Sequence, residues 1–326
     1  MASKNANPRG TDNVGANALG GAQRFKRWVR PLTLTLALGF MGFAAWELSR
    51  RWSSSEVVSP RLAWAALALA PLLAAGLLQA MAWVFLTEHM AGRRLPRAYG
   101  TLLYLESQLA RYTPGKLGLP LVRMAGAPRL GVPAWSVGVS VLIEHVSWIA
   151  VGGGLGFGLF AFGKRDRAGV TGLFGDFALP ILAASIAVVL VMTVLDRSRL
   201  PQRVRGWLRL EGKGSVIGPS LPVLQLGFWG GWVLHGICVT VAFRASAAEA
   251  LAVSGLFVLA PLAGFLALAA PAGVGVREAV LVVGLSPLLG APGALGAVLV
   301  SRACSFVSDF FLWFLVYGVG KKRGFA

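Results

Sequence analysis

Apolar runs of membrane-crossing length alternate with short basic clusters along almost the whole chain. The runs at residues 31–48, 61–87, 134–162, 177–195, 221–243 and 293–318 each approach or exceed the roughly 20 helical residues that cross a hydrocarbon core about 30 Å thick. Two further stretches are apolar but interrupted. Residues 98–125 form two halves around Arg111-Tyr112-Thr113-Pro114-Gly115-Lys116-Leu117-Gly118, and residues 250–289 form two halves around Pro271-Ala272-Gly273-Val274-Gly275-Val276-Arg277-Glu278. A helix over residues 276–289 would span only about 20 Å at about 1.5 Å per residue, too short to cross. Helix breakers and charge at membrane depth survive only where backbone is buried in protein or lines a wet cavity. The pattern predicts an all-α polytopic membrane protein with about six full transmembrane helices plus two re-entrant helical hairpins.

Composition supports the membrane assignment. The chain has 326 residues, of which 13% are charged, about half the roughly 25% of a soluble domain. A net charge of +18 could suggest nucleic acid, but the cations stand in short clusters between apolar runs. That is the positive-inside pattern, with attraction to anionic lipid headgroups on the cytoplasmic face, and no nucleic acid is expected.

The clusters also set a topology. Arg24, Lys26, Arg27 and Arg30 precede the first run, and the polar lead-in is too long and the run too extended for a cleaved signal peptide. The loop holding Arg197, Arg199, Arg203, Arg205, Arg209 and Lys213 is the strongest cytoplasmic marker. It falls inside only if residues 98–125 return to the face they entered from. Lys321, Lys322 and Arg323 then also fall inside, so both termini are expected in the cytoplasm of an inner-membrane protein. Residues 1–23 read as a disordered tail and residues 24–322 as one transmembrane domain. Within it, residues 30–163 and 177–319 run span, span, hairpin, span in the same order with opposite orientation. That is the inverted-repeat logic of secondary transporters, whose broken helices meet near the midplane.

The breaks carry the candidate chemistry. Helix-end N–H groups hold partial positive charge and suit an anion; Lys116, Arg123 and Arg277 add full charges, and a phosphate-bearing headgroup is the natural ligand. The expected substrate-binding residues are Tyr112, Pro114, Gly115, Lys116 and Arg123 in one half, with Gly273, Gly275, Arg277 and Glu278 in the other. The plainer reading is that Lys116 and Arg123 mark a cytoplasmic boundary. Glu144 and Arg302 each lie in the span after their half's break, and are expected to pair with each other or with Arg277 and Glu278. Either they form a structural ion pair or a gate, and Asp309, about two turns after Arg302, belongs to the same polar face. Trp64 and Trp83 read as interfacial anchors, and Gly154 and Gly158 as a close-packing pair. His145 beside Glu144 reads as a hydrogen-bonded membrane histidine or a proton-linked group. Cys238 and Cys304 lie in apolar runs and imply no disulfide. The three histidines have no metal-ligand spacing, and neither a nucleophile–base constellation nor a cofactor motif stands out.

The Tyr112-Thr113-Pro114-Gly115-Lys116 break, then Arg123, then Ile143-Glu144, resembles the lysylphosphatidylglycerol synthase transmembrane-region family of flippase-like domains. So does Pro271-Ala272-Gly273-Val274-Gly275-Val276-Arg277-Glu278-Ala279 followed by Arg302, the likeness running from about Arg30 to Lys322. The resemblance implies a membrane domain that moves an anionic or aminoacylated phospholipid, or a lipid-linked precursor, between leaflets. Fused members carry a soluble aminoacyl-transferase domain after the membrane region. This chain ends at Ala326, so the resemblance implies a stand-alone member and no synthase activity. His145 stands where the family pattern leads one to expect Arg. Two other functions stay open on the residues alone. One is a membrane-embedded transferase acting on lipid or lipid-linked sugar, with Glu106, Glu144 or Glu278 as base; the other is a non-transporting partner of a lipid-modifying enzyme. A homodimer is compatible with either.

Overall fold

The computed structural model describes residues 59–112, 118–162, 170–208, 214–267 and 273–322. The run at 31–48, the tail before it and the break residues Pro114, Gly115 and Lys116 lie outside the described residues. The elements are α1 (Leu62–Leu67), α2 (Leu69–Ala91), α3 (Arg97–Leu109), α4 (Gly118–Ala125), α5 (Ala127–Leu130), α6 (Ala134–Phe162) and α7 (Val170–Val194). They continue with α8 (Gln202–Leu208), α9 (Ser220–Ala242), α10 (Ala247–Val253), α11 (Gly255–Leu266) and α12 (Val276–Lys322). No strand occurs among the described residues; backbone polar groups in lipid must be satisfied within each segment, which helices achieve.

Six stretches are long and apolar enough to cross a membrane: Leu62–Ala91, Ala134–Leu159, Phe177–Val194, Ser220–Ala242, Ala247–Leu266 and Val276–Gly318. The protein is therefore an all-α, multi-pass membrane protein. These six are not quite the six expected from the sequence. The 31–48 run is outside the described residues, and Ala247–Leu266 now counts as a span, because α10 joins α11 end to end at Ser254. Together they cover about 30 Å at about 1.5 Å per residue. Ser246 starts this stretch with a reciprocal cap: its hydroxyl accepts from the Glu249 N–H while the Glu249 carboxylate accepts from the Ser246 N–H. At the far end, Gly290 adopts φ 70°, ψ 164° inside α12, a conformation that glycine alone takes cheaply. It divides the helix into a short first part and a long second part, with Pro287 and Pro292 on either side.

The core has three connected parts. Trp229, Val239, Phe257, Leu281 and Leu285 fill the space between α9, α11 and α12. Trp83, Leu103, Val122, Leu130 and Val137 knit α2 to α3–α6, joined by Leu312 from α12. Ala82, Leu86, Ile143, Ile217 and Leu221 close the end near the Asp196–Ser215 bridge. Trp83 is completely buried and donates to Ser140 Oγ at 3.1 Å, so it is no interfacial anchor; burying its indole required an acceptor, and Ser140 supplies it. The glycine-rich part of α6 packs closely on both sides. Gly154 and Gly158 face Ser185 and Leu182 of α7, while Gly152 accepts the edge of the Trp229 ring, leaving no room for a methyl group. By contrast α7 lies at the periphery, with Phe177, Leu179, Leu190 and Val194 each more than half exposed, a face suited to lipid rather than protein.

Candidate functional site

Two charged clusters flank one cavity. The first is built where α4 and α6 meet α2 and α3. Arg123 is wholly buried; it pairs with the Glu144 carboxylate and donates through Nε to Ser107 Oγ at 2.8 Å. Its guanidinium lies over Tyr104 (4.2 Å) and Trp83 (4.8 Å), so two ring faces supply the remaining electrostatic support. Gln79 donates to the other Glu144 oxygen at 2.9 Å. The Gln225 amide donates to the Glu144 backbone carbonyl at 3.1 Å and accepts from Ser147 at 2.7 Å. An ion pair this deep survives because nearly every remaining polar site on it is met. Two atoms are exceptions: Arg123 Nη2 and Gln79 Oε1 have no hydrogen-bond partner among the described residues.

The second cluster grows from the second break. Gly273 has φ +72°, and a side chain there would meet the Gly264 backbone at 2.6 Å; only glycine lets the turn press against α11 this closely. The turn aims α12 so that Arg277, in its first turn, points at the second part of the same helix. Arg277 donates to Ser301 Oγ (3.2 Å) and Ser305 Oγ (3.0 Å) and lies 4.8 Å from the Trp232 ring centroid. Ser301 also contacts His235 Nε2 at 2.9 Å, and His235 Nδ1 faces the Ala68 carbonyl at 2.8 Å. A carbonyl only accepts, so Nδ1 carries the proton, Nε2 accepts from Ser301, and Ser301 accepts from Arg277. Glu278 caps its own helix by accepting from the Gly275 N–H at 2.7 Å and faces Arg302 at 3.3 Å. At this break the chain's own carboxylate therefore occupies the helix-end position that the sequence reading left to an anionic ligand.

The pairing matches neither of the two alternatives read from sequence in full: Arg302 faces Glu278 as the second has it, but Glu144 does not take Arg277. Glu144 and Arg302 do not pair with each other: Glu144 takes Arg123, and Arg302 takes Glu278. Each carboxylate is claimed by the cation of its own half, which lies nearer along the fold. An ion pair that joins the two halves of the chain is Arg111 with Asp309, a part-exposed contact between the break of the first interrupted stretch and the last span.

The cavity between the clusters has a volume of about 460 Å³. Glu144, Arg111, Arg277, Arg302 and Asp309 line it together, so residues of both halves meet in one space. Trp148, Phe228, Trp232 and Phe265 form an aromatic wall, with Trp148 edge-on to Phe265 at 5.3 Å and the His145 ring stacked on Phe265 at 4.9 Å. His145 donates from Nδ1 to the Val141 carbonyl at 2.7 Å. Arg123, Gly273, Gly275 and Glu278 stand one layer back, fixing the residues in front of them; Tyr112 closes a 3-10 turn at the edge of the described backbone.

Several residues of the site carried little weight in the sequence: Gln79, Ser107, Gln225, His235, Ser301 and Ser305. Gln79 and Gln225 had a usable signal, since an amide inside an apolar span needs a polar partner. The serines had none, because serine is common at helix-packing contacts. Among the described residues no group of three or more His, Cys, Asp or Glu side chains gathers to hold a metal.

Against known proteins, the family model for the lysylphosphatidylglycerol synthase TM region matches residues 28–312. No match to a curated protein is found. The matched segment includes both charged clusters, the aromatic wall and the Arg111–Asp309 contact. A charged, aromatic-walled cavity inside an all-helical membrane protein, within a segment matched over most of the chain, places the protein: it belongs to the lysylphosphatidylglycerol synthase transmembrane-region family.

Proposed function

We propose that the protein is a lipid translocase of the inner membrane, moving a phospholipid headgroup between leaflets through the cavity between its two charged clusters. The observation that carries this reading is the set of Arg111, Arg277, Arg302, Glu144 and Asp309 around one space of about 460 Å³ in a membrane protein. Ionisable groups at membrane depth are costly, and when they line a cavity they mark a polar solute's path. The volume suits a headgroup, since small-molecule sites span roughly 300–1,000 Å³, while acyl chains can stay in the bilayer. Arg277 and Arg302 are suited to grip a phosphate, and the aromatic wall offers flat apolar surface beside it. In this reading the two interrupted segments enter from opposite faces as an inverted pair, and both termini lie in the cytoplasm. Arg111–Asp309 then acts as the contact that breaks when the halves rock apart.

The test is reconstitution of the purified protein in vesicles holding a fluorescent anionic phospholipid, with leaflet exchange followed by quenching from outside. Exchange well above that of protein-free vesicles, reduced at least about tenfold by Arg277→Ala at equal folded protein, is expected. Exchange equal in wild type and Arg277→Ala would remove the cavity from the path.

A further inference from the structure

Neutral polar side chains on the cavity wall are left without partners. Tyr104 and Gln108 stand about one turn apart on α3, so they share one face of that helix, and both line the cavity. Tyr104 is 4% exposed, yet among the described residues neither its hydroxyl nor the Gln108 side-chain amide makes a hydrogen bond. The same holds for the indole N–H groups of Trp148 and Trp232, which line the cavity from α6 and α9. His145 adds an acceptor. Its Nδ1 proton is committed to the Val141 carbonyl, which leaves Nε2 with a lone pair and no partner among the described residues. Enclosed hydrogen-bonding groups are normally satisfied, and those on a cavity wall are completed by what enters the cavity.

The kinds of group present define the chemistry. The phenol and the amide each donate and accept, the indoles donate, and the imidazole accepts. The ligand groups that answer both roles at several places are hydroxyls. Beside them, the rings of Trp148, Phe228, Trp232 and Phe265 offer flat apolar contact from α6, α9 and α11. A sugar or cyclitol ring has this combination, an apolar C–H face with a rim of hydroxyls. A glycerol headgroup has hydroxyls without a face, and a methyl ester has neither.

Resting on the translocation reading above, we propose that the cavity recognises a polyhydroxylated ring, a sugar or cyclitol, carried on the lipid phosphate. The ring stacks on the aromatic wall. Its hydroxyls bond Tyr104 and Gln108 on α3, and the indole N–H groups and His145 Nε2 on the other helices. Tyr104 and Gln108 are then specificity-determining residues. The Arg123 guanidinium, 4.2 Å from the Tyr104 ring centroid, fixes that ring and so holds its hydroxyl in place.

The test uses the full chain in vesicles with three acyl-labelled probes of equal charge: phosphatidylinositol, phosphatidylglycerol and phosphatidylmethanol. Phosphatidylinositol is expected to exchange at least about tenfold faster than phosphatidylmethanol, a difference of about 1.4 kcal/mol, with phosphatidylglycerol between. Phosphatidylglycerol matching phosphatidylinositol would overturn the ring, and three equal rates would overturn hydroxyl recognition altogether. Calorimetry on the full chain in detergent, with glycerophosphoinositol and glycerophosphoglycerol, separates recognition from transport. Tighter binding of the inositol ester without exchange of any lipid would uphold the recognition and overturn translocation. Exchange of all three lipids with equal binding of the two esters would do the reverse, and neither binding nor exchange would overturn both. Two variants check the contacts: Tyr104→Phe keeps the ring beside Arg123 and removes the hydroxyl, and Gln108→Leu removes the amide at a half-buried position. Either should lower the ratio of phosphatidylinositol to phosphatidylglycerol exchange by about threefold, the scale of one neutral hydrogen bond. An unchanged ratio in both folded variants would contradict the proposal. Release of entrapped glycerophosphoinositol without lipid exchange would assign the site to a soluble polyol ester and overturn the lipid assignment.

Discussion

Arg123 and Arg277 are the same residue type at comparable places, each just after an interrupted segment, yet their surroundings differ. Arg123 has no exposed surface and is clamped by a carboxylate, a hydroxyl and two aromatic rings. Arg277 borders the cavity and is positioned by two serine hydroxyls and Trp232. The first guanidinium is a buried support whose removal damages the fold. The second stands on a cavity wall, with two serine hydroxyls and an indole ring among the groups that hold it. Identical residue types thus divide into an enclosed support and a group that borders open space.

The largest break in that contrast should come from Glu144→Ala. It strands the Arg123 charge and the Gln79 amide, and should cost about 3–5 kcal/mol of stability, read as a large loss of thermal midpoint in detergent. Joint replacement of both partners by methionine should recover most of it, because two apolar side chains leave no buried charge. Next comes Arg277→Ala, expected to cost about 1–2 kcal/mol of stability through lost hydrogen bonds while abolishing lipid exchange. Equal thermal losses for the Glu144 and Arg277 variants would erase the distinction between scaffold and site. Third is Asp309→Asn, at a part-exposed pair. Its stability change should stay within about 1 kcal/mol, but the exchange rate should change if Arg111–Asp309 holds the halves together. An unchanged rate would remove the gate role.

How much of this was legible depends on what each element had to announce. The apolar runs carried the helices and the multi-pass architecture, because length and hydropathy are what a bilayer selects. Pro271 to Glu278 carried the second cluster, because glycines and a cation inside an apolar run need a reason. Trp83 was misread, since an aromatic near a span end looks the same whether it meets headgroups or donates to Ser140. The partner choice of Glu144 could not be read either. The sequence offered Arg302 or Arg277, and the approach of α4 to α6 gives it Arg123 instead. His235 was silent because its role rests on donating to Ala68 and accepting from Ser301, which come from distant parts of the chain.

The smallest expected effect lies outside the membrane, at the loop after α7. Hydrogen bonds from the Ser198 side chain and backbone, with a further one from the Gly214 N–H, hold the Asp196 carboxyl below its ordinary range. A lowered folded-state pKa means the contribution is fully present above the ordinary carboxylate pKa and is lost as pH falls through the folded value. Amide exchange at Ser198 and Gly214 should therefore accelerate, relative to neighbouring amides, only at strongly acid pH. Asp196→Asn should lack that acid transition, and the lipid exchange rate near neutral pH should be the same in both.

The central claim is that a lipid headgroup occupies the space between the two clusters. Photolabelling with a headgroup-diazirine phosphatidylglycerol, mapped by mass spectrometry, tests it most directly. Labels are expected around Trp232 and Phe265 on the cavity wall, competed by unlabelled phosphatidylglycerol and strongly reduced in Arg277→Gln. Labels confined to the outward face of α7, around Leu179 and Leu190, and indifferent to Arg277, would contradict the account.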